Sequence, residues 1–256
     1  MRYIYSLILF FSIVSCEGII NLEVIGDGNF VSQNRVNLDY FTELEFYEAF
    51  DLDICYSDEQ YVAVKGDSNL LKYVTTEVVD GRLTVESLSN YDIFPRQPIR
   101  IVVGTNDINT IDIYGSGDVY IDSLYLNKLV LNVFSRAKVK ITNLEVDQLL
   151  LFSNGGGNIF FDGNAEKLNL SQFGSGNASI QGYANYAQII QEGSGIIDAK
   201  LFSTNNIDVL LFGSGLIYFS SDNDSFVSIE GIGRVYYSGS EPDSISVEGE
   251  GGLYKN

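Results

Sequence analysis

The sequence contains no histidine and no tryptophan, one methionine, three prolines and two cysteines in 256 residues. Each shortage removes a class of function. Without histidine the chain lacks the usual general base, the commonest metal ligand and the side chain that titrates near neutral pH. Two cysteines build no disulfide framework, and neither can be activated by an imidazole. Basic residues are scarce too: 15 Lys and Arg stand against 34 Asp and Glu, a formal net charge of −19. So acidic a surface repels phosphate backbones, which argues against nucleic acid as a partner. Capped helix-period stretches and cofactor motifs are also missing, and no cofactor is expected.

What the chain has in plenty is glycine (25), tyrosine (17) and phenylalanine (16), alongside many Val, Ile and Thr. That mixture favours strands punctuated by glycine turns. At the start, Arg2 precedes a short apolar run that ends in Ile13-Val14-Ser15-Cys16. The run is too short to span a bilayer and has the form of a signal peptide. "IVSC" resembles a bacterial lipobox, so residues 1–15 are expected to be a lipoprotein signal. Cys16 is then the lipid attachment site, and residues 16–29 a short tether to a single domain over 30–256. Cys55 follows the apolar Ile54 at the end of a strand and is expected to be a small buried or half-buried residue rather than a nucleophile.

Small-residue triplets recur through that domain: Gly-Ser-Gly at 115, 174, 193 and 213, with related triplets at 135, 155, 231 and 249, spaced 18 to 20 residues apart. A ninth copy without the glycines is centred on Glu48. Four residues before each turn stand Leu44, Ile111, Leu131, Leu151, Leu170, Ile189, Val209, Val227 and Ile245. Four residues after it stand Leu52, Val119, Val139, Ile159, Ala178, Ile197, Ile217, Val235 and Leu253. A third column, two residues further on, includes Ile54, Ile121, Ile141 and Phe161. Apolar and polar residues alternate within each copy, the period of a strand.

A fixed period with two strand segments per copy reads as a β-solenoid. We therefore expect an all-β, right-handed parallel β-helix of about nine coils, each of 18–20 residues. The triplets are its corners, where glycine supplies close backbone approach or positive φ, and Ser116, Ser175, Ser194 and Ser214 are placed to cap neighbouring backbone. A phosphate-cradling loop is the competing reading, but it needs a following helix and a basic partner, and neither is present. Residues 56–105 break the period as an irregular insert. Asp80-Gly81 between two alternating segments predicts a hairpin there, able to cover one end of the solenoid.

The block "EAFDLDI", then "NLLKYVTTEVVDGRLTVE", then "PIRIVV" and the reiterated Gly-Ser-Gly coils resembles the head-GIN domain family of auto-transporter adhesin-like envelope lipoproteins in Bacteroidota. The resemblance spans roughly residues 30–254. It implies a right-handed parallel β-helix, carries no catalytic motif, and departs from the pattern at Ser135-Arg136-Ala137.

Two readings of function stay open. The first is a non-catalytic, lipid-anchored module of the cell envelope, an adhesin or structural protein, with the outer membrane as its location. The second is a glycan-active β-helix enzyme, a polysaccharide lyase or hydrolase, with a cryptic carboxylate site. Asp51, Asp53 and Asp118 are the carboxylates nearest one another, but solvated strand faces account for them. No catalytic, cofactor or metal residue is assigned, and the period of nineteen does not fit a calcium-binding nonapeptide ladder. The most suggestive outward feature is a column of Tyr218, Tyr236 and Tyr254 on consecutive coils. These are candidate contacts for a glycan, an envelope protein or a second copy, through the solenoid end or flank, or else a stack that stabilises the sheet.

Overall fold

In the computed structural model, which describes residues 21–221 and 223–256, about two thirds of the described residues are strand, wound as a β-solenoid of about 7 turns. The aligned columns become ladders in register. Leu44 pairs with Ile111, then Leu131, Leu151, Leu170, Ile189, Val209, Val227 and Ile245, all in parallel. Past the corner, Leu52 leads in the same way through Val119 and Val139 to Leu253. Up to Val227 and Val235 these side chains form one continuous buried stack. Neighbouring coils bury each other's inner faces, which is why a single coil would have no core of its own.

The expected nine coils are nine stacked copies but fewer closed turns. Seven intervals separate the eight regular corners, while the first copy runs into the insert instead of closing on its neighbour. The one-residue differences in period also have a structural cause. Longer coils carry an extra residue at the corner leading to a third side, where Ser123 (φ 57) and Asn143 (φ 52) adopt the left-handed conformation. The pairing shifts register there, between Ile141 and Leu144 and again between Ser179 and Gln181. Beyond that corner five coils form third-side strands, with Tyr125 over Glu145, Asn164, Tyr183 and Ser203.

Close approach accounts for most of the corner glycines. A Cβ on Gly174 would lie 1.8 Å from the Gly155 carbonyl oxygen of the coil below. Among the triplet glycines positive φ occurs only at the last two copies, at Gly231 and Gly249. The middle serines do not cap: Ser116, Ser175, Ser194 and Ser214 are exposed, and backbone bonds such as Gly176 N–H to Gly155 O secure the corners instead. Inside two corners a buried glutamine helps. Gln172 Nε2 donates to the Gly176 carbonyl and Gln191 Nε2 to that of Gly195.

The insert closes one end. Val74–Val79 and Arg82–Ser87 form the expected hairpin, with Asp80 (φ 51) and Gly81 (φ 79) both left-handed, as a type I′ turn requires. Arg82–Ser87 then stacks under Glu43–Phe46, and Arg100–Thr105 under Asp51–Tyr56, adding one more rung to both sides. Antiparallel Tyr61–Asp67 and Phe30–Asn34 finish that end. The folded body also begins earlier than residue 30. Leu22–Ile25 pairs with Tyr91–Phe94, and buried Asp67 accepts hydrogen bonds from the Gly28 and Arg96 backbone N–H groups, both at 2.7 Å. Of the stretch read as a tether, residues 22–29 therefore belong to the domain. The other end is open. Ser244–Gly249 is exposed throughout, so Ile245 is 45% accessible although its column is buried on every other coil.

Candidate functional site

Outward side chains repeat at the rung spacing, so like residues on neighbouring coils meet face to face. Tyr218 and Tyr236 stack with ring centroids 5.0 Å apart, and Tyr236 and Tyr254 with 5.3 Å. Lys200 Nζ lies over the Tyr218 ring, 4.6 Å from its centroid. The column thus exists as expected, but its rings spend their faces on one another and on Lys200, and only Tyr254 keeps its outer face. A longer stack runs along the corner: Tyr47, Tyr114, Phe134, Phe152 and Phe173, at 4.8, 5.0, 5.8 and 4.9 Å. Phe152 fills the gap where this column carries Asn154. These rings present edges to solvent, an arrangement that supports the sheet.

The carboxylates nearest one another are engaged as well. Arg100 reaches Asp51 at 3.3 Å and Asp53 at 3.4 Å on the next rung, and Arg82 likewise bridges Glu43 and Glu45 at 2.6 and 2.5 Å. Asp118 N–H donates to Asp51 and Tyr120 O–H to Asp118. Burial raises the Asp53 carboxyl above its ordinary range, against the pull of Arg100 and Lys65. These are matched pairs that fasten the extra rung to the first coil, and they sit in cross-strand register. Cys55 is a half-buried free thiol, 3.8 Å from the Tyr61 hydroxyl. Among the described residues no group of three or more His, Cys, Asp or Glu is placed to hold a metal, and no helix is long and apolar enough to cross a membrane. Cys16 and residues 1–15 lie outside the described residues.

The third side has a different character. A shallow groove of about 490 Å³ is lined by Tyr125, Glu145, Asp147, Asn164, Glu166 and Tyr183, with buried Val146 and Ala165 at its floor. Tyr125 is 65% exposed and touches another ring, Tyr56, only edge-on; Tyr183, 40% exposed, enters no ring pair among the described residues. Neither ring is stacked face to face on another. The polar groups between them are held in place: Asn164 Nδ2 donates to Glu145 at 2.7 Å, Asn185 Nδ2 to Glu166 at 2.6 Å, and Asn205 Nδ2 to the Tyr183 hydroxyl at 2.9 Å. Outside the groove, three residues beyond Tyr183, Tyr186 donates to Asp208, and burial together with that bond pushes its phenol up to about 12.

Sequence reasoning missed this groove. Counted from the corner, Tyr125 and Glu145 fall ten residues on, but Asn164 and Tyr183 nine, because the bulge adds one residue to the earlier coils. An ungapped column count therefore scatters a column that the structure aligns. Allowing one residue of slack after position eight would have found it.

Several solved structures share the fold. A putative lipid binding protein from Parabacteroides distasonis is 23% identical with a TM-score of 0.80, over 91% of this chain and 99% of its own. A putative adhesin from Parabacteroides merdae is 21% identical with a TM-score of 0.76, over 91% and 99%. A putative adhesin from Bacteroides fragilis is 19% identical with a TM-score of 0.67, again over 91% and 99%. No curated protein matches. Residues 40–240, from the first aligned copy through the eighth, match the family described as "Putative auto-transporter adhesin, head GIN domain", and the chain belongs to that family.

Proposed function

We propose that this protein is a non-catalytic, lipid-anchored binding module of the Gram-negative cell envelope, an adhesin held to the outer membrane through Cys16. The observation that carries the reading is how the functional groups are distributed. The carboxylates beside the extra rung are bound to arginines in register, while the third-side groove holds two of its acids on asparagines between two exposed tyrosines that are not stacked on other rings. Family membership and the Ser15-Cys16 leader support it. Tyr254, with its outer ring face at the open end, offers a second contact for an envelope protein or another copy. Tyr218 and Tyr236 serve it as backing.

The anchoring half is tested by expression in a Gram-negative host. Wild-type chain is expected to partition into detergent and Cys16→Ala into the aqueous phase; equal partitioning of the two would refute the anchor.

A further inference from the structure

We propose that the third-side groove binds a neutral oligosaccharide laid along the solenoid axis, stacked on Tyr125 at one end and Tyr183 at the other. This deepens the reading of the protein as a non-catalytic binding module and rests on it. Ring faces come first in the argument. Tyr218, Tyr236 and the corner stack are closed to a ligand by their neighbours, whereas Tyr125 and Tyr183 sit three rungs apart in one outward column, both exposed and neither stacked face to face on another ring. Three rungs span about 14 Å at the usual strand spacing. A pyranose is comparable in length to one rung, so a short oligosaccharide bridges the two rings, with its apolar C–H faces on the tyrosines.

The groups between the rings suit hydroxyls. Glu145, Asp147 and Glu166 offer acceptors that take a vicinal diol in bidentate fashion, and Asn164 adds an amide. Two of these carboxylates are already oriented by asparagines on the next coil, so little ordering remains for the ligand to impose. Charge sets the selectivity. Three carboxylates and no Lys or Arg line the groove, which disfavours sulfated, sialylated and uronic glycans. A basic peptide would satisfy the charge but not the backbone. The third-side strands are paired with coils on both sides, so the groove has no free edge to receive a peptide's N–H and C=O groups.

The test uses the full chain in detergent on an array of neutral, sialylated and sulfated oligosaccharides. Affinities for the captured glycans are measured by calorimetry, and release of new reducing ends is recorded in parallel. Neutral glycans are expected to bind without cleavage. Tyr125→Ala and Tyr183→Ala should each weaken binding by about tenfold or more, with unchanged melting curves because both rings lie outside the core. Asn164→Phe, which fills the groove while leaving both tyrosines, should abolish binding. Capture of acidic glycans only, capture of none, preference for basic peptides, or wild-type affinity in the variants would each overturn the inference. New reducing ends would instead refute the non-catalytic reading, and the variants would still report whether the groove is the site.

Discussion

Replacing Gly174 by alanine tests the corner geometry directly. The added Cβ would sit 1.8 Å from the Gly155 carbonyl oxygen, whereas real Cβ contacts essentially never fall below 3.0 Å. The two coils must part by more than an ångström at that corner. Gly155 is itself packed on Ser135 below and Gly174 lies under Gly193 above, so neither coil can slide freely. The bonds at risk are Phe173 N–H to Ser153 O at 2.8 Å and Gly176 N–H to Gly155 O at 3.3 Å. At about 1 kcal/mol each, with a similar loss from the loosened packing below, the strain comes to about 3 kcal/mol. Removing a glycine from the unfolded chain offsets some 0.4–1 kcal/mol of this. The net cost of about 2–3 kcal/mol corresponds to a fall in Tm of roughly 5–10 °C for a chain of this size. Gly156→Ala in the neighbouring triplet is the control, since its Cβ would meet nothing closer than Ser175 Oγ at 3.5 Å. Circular dichroism melts of the two variants decide the matter. Equal melting temperatures would show that the corners yield, and that close approach is not what selects glycine there.

The Tyr218→Ala/Tyr236→Ala double variant should melt early, because it removes the two inner rings of the ladder; a melt like wild type together with a loss of self-association would move the binding surface to the rod end. Asp67→Ala removes the hydrogen bonds that the Gly28 and Arg96 N–H groups donate, at about 1 kcal/mol each; hydrogen exchange should then accelerate at residues 22–29, and protection unchanged there would refute its role as a fastener. Tyr186 holds its proton more tightly when folded, so its contribution to stability is complete below pH 10 and is lost as pH rises toward about 12. Tyr186→Phe should remove that alkaline loss, which urea melts across this range would detect.

The coil repeat was legible because it rests on inward columns, and a residue such as Leu151 or Ile159 cannot leave the core without exposing its whole rung. The hairpin was equally plain, since Asp80-Gly81 is a local signal. The number of closed turns was not, because the first copy keeps the inward columns of the others although it lacks their glycines, and its connection through residues 56–105 is what keeps it from closing. The corner serines show a different limit. Ser175 has the chemistry of a cap, but its direction depends on the path of the backbone, which points it to solvent. The groove was hidden by one extra residue on each of the earlier coils, at Ser123 and Asn143, which shifts every later position on its coil.

That extra residue and the ladders around it give each outward side chain a coordinate: a coil and a side. Inward residues carry the fold, so an outward position on the third side can change without disturbing the rungs above or below. A new pattern of rings, amides and acids can be composed row by row, as type is set in a frame. In such a lattice recognition can drift quickly over a scaffold that stands still, and two relatives with superimposable coils can present entirely different faces.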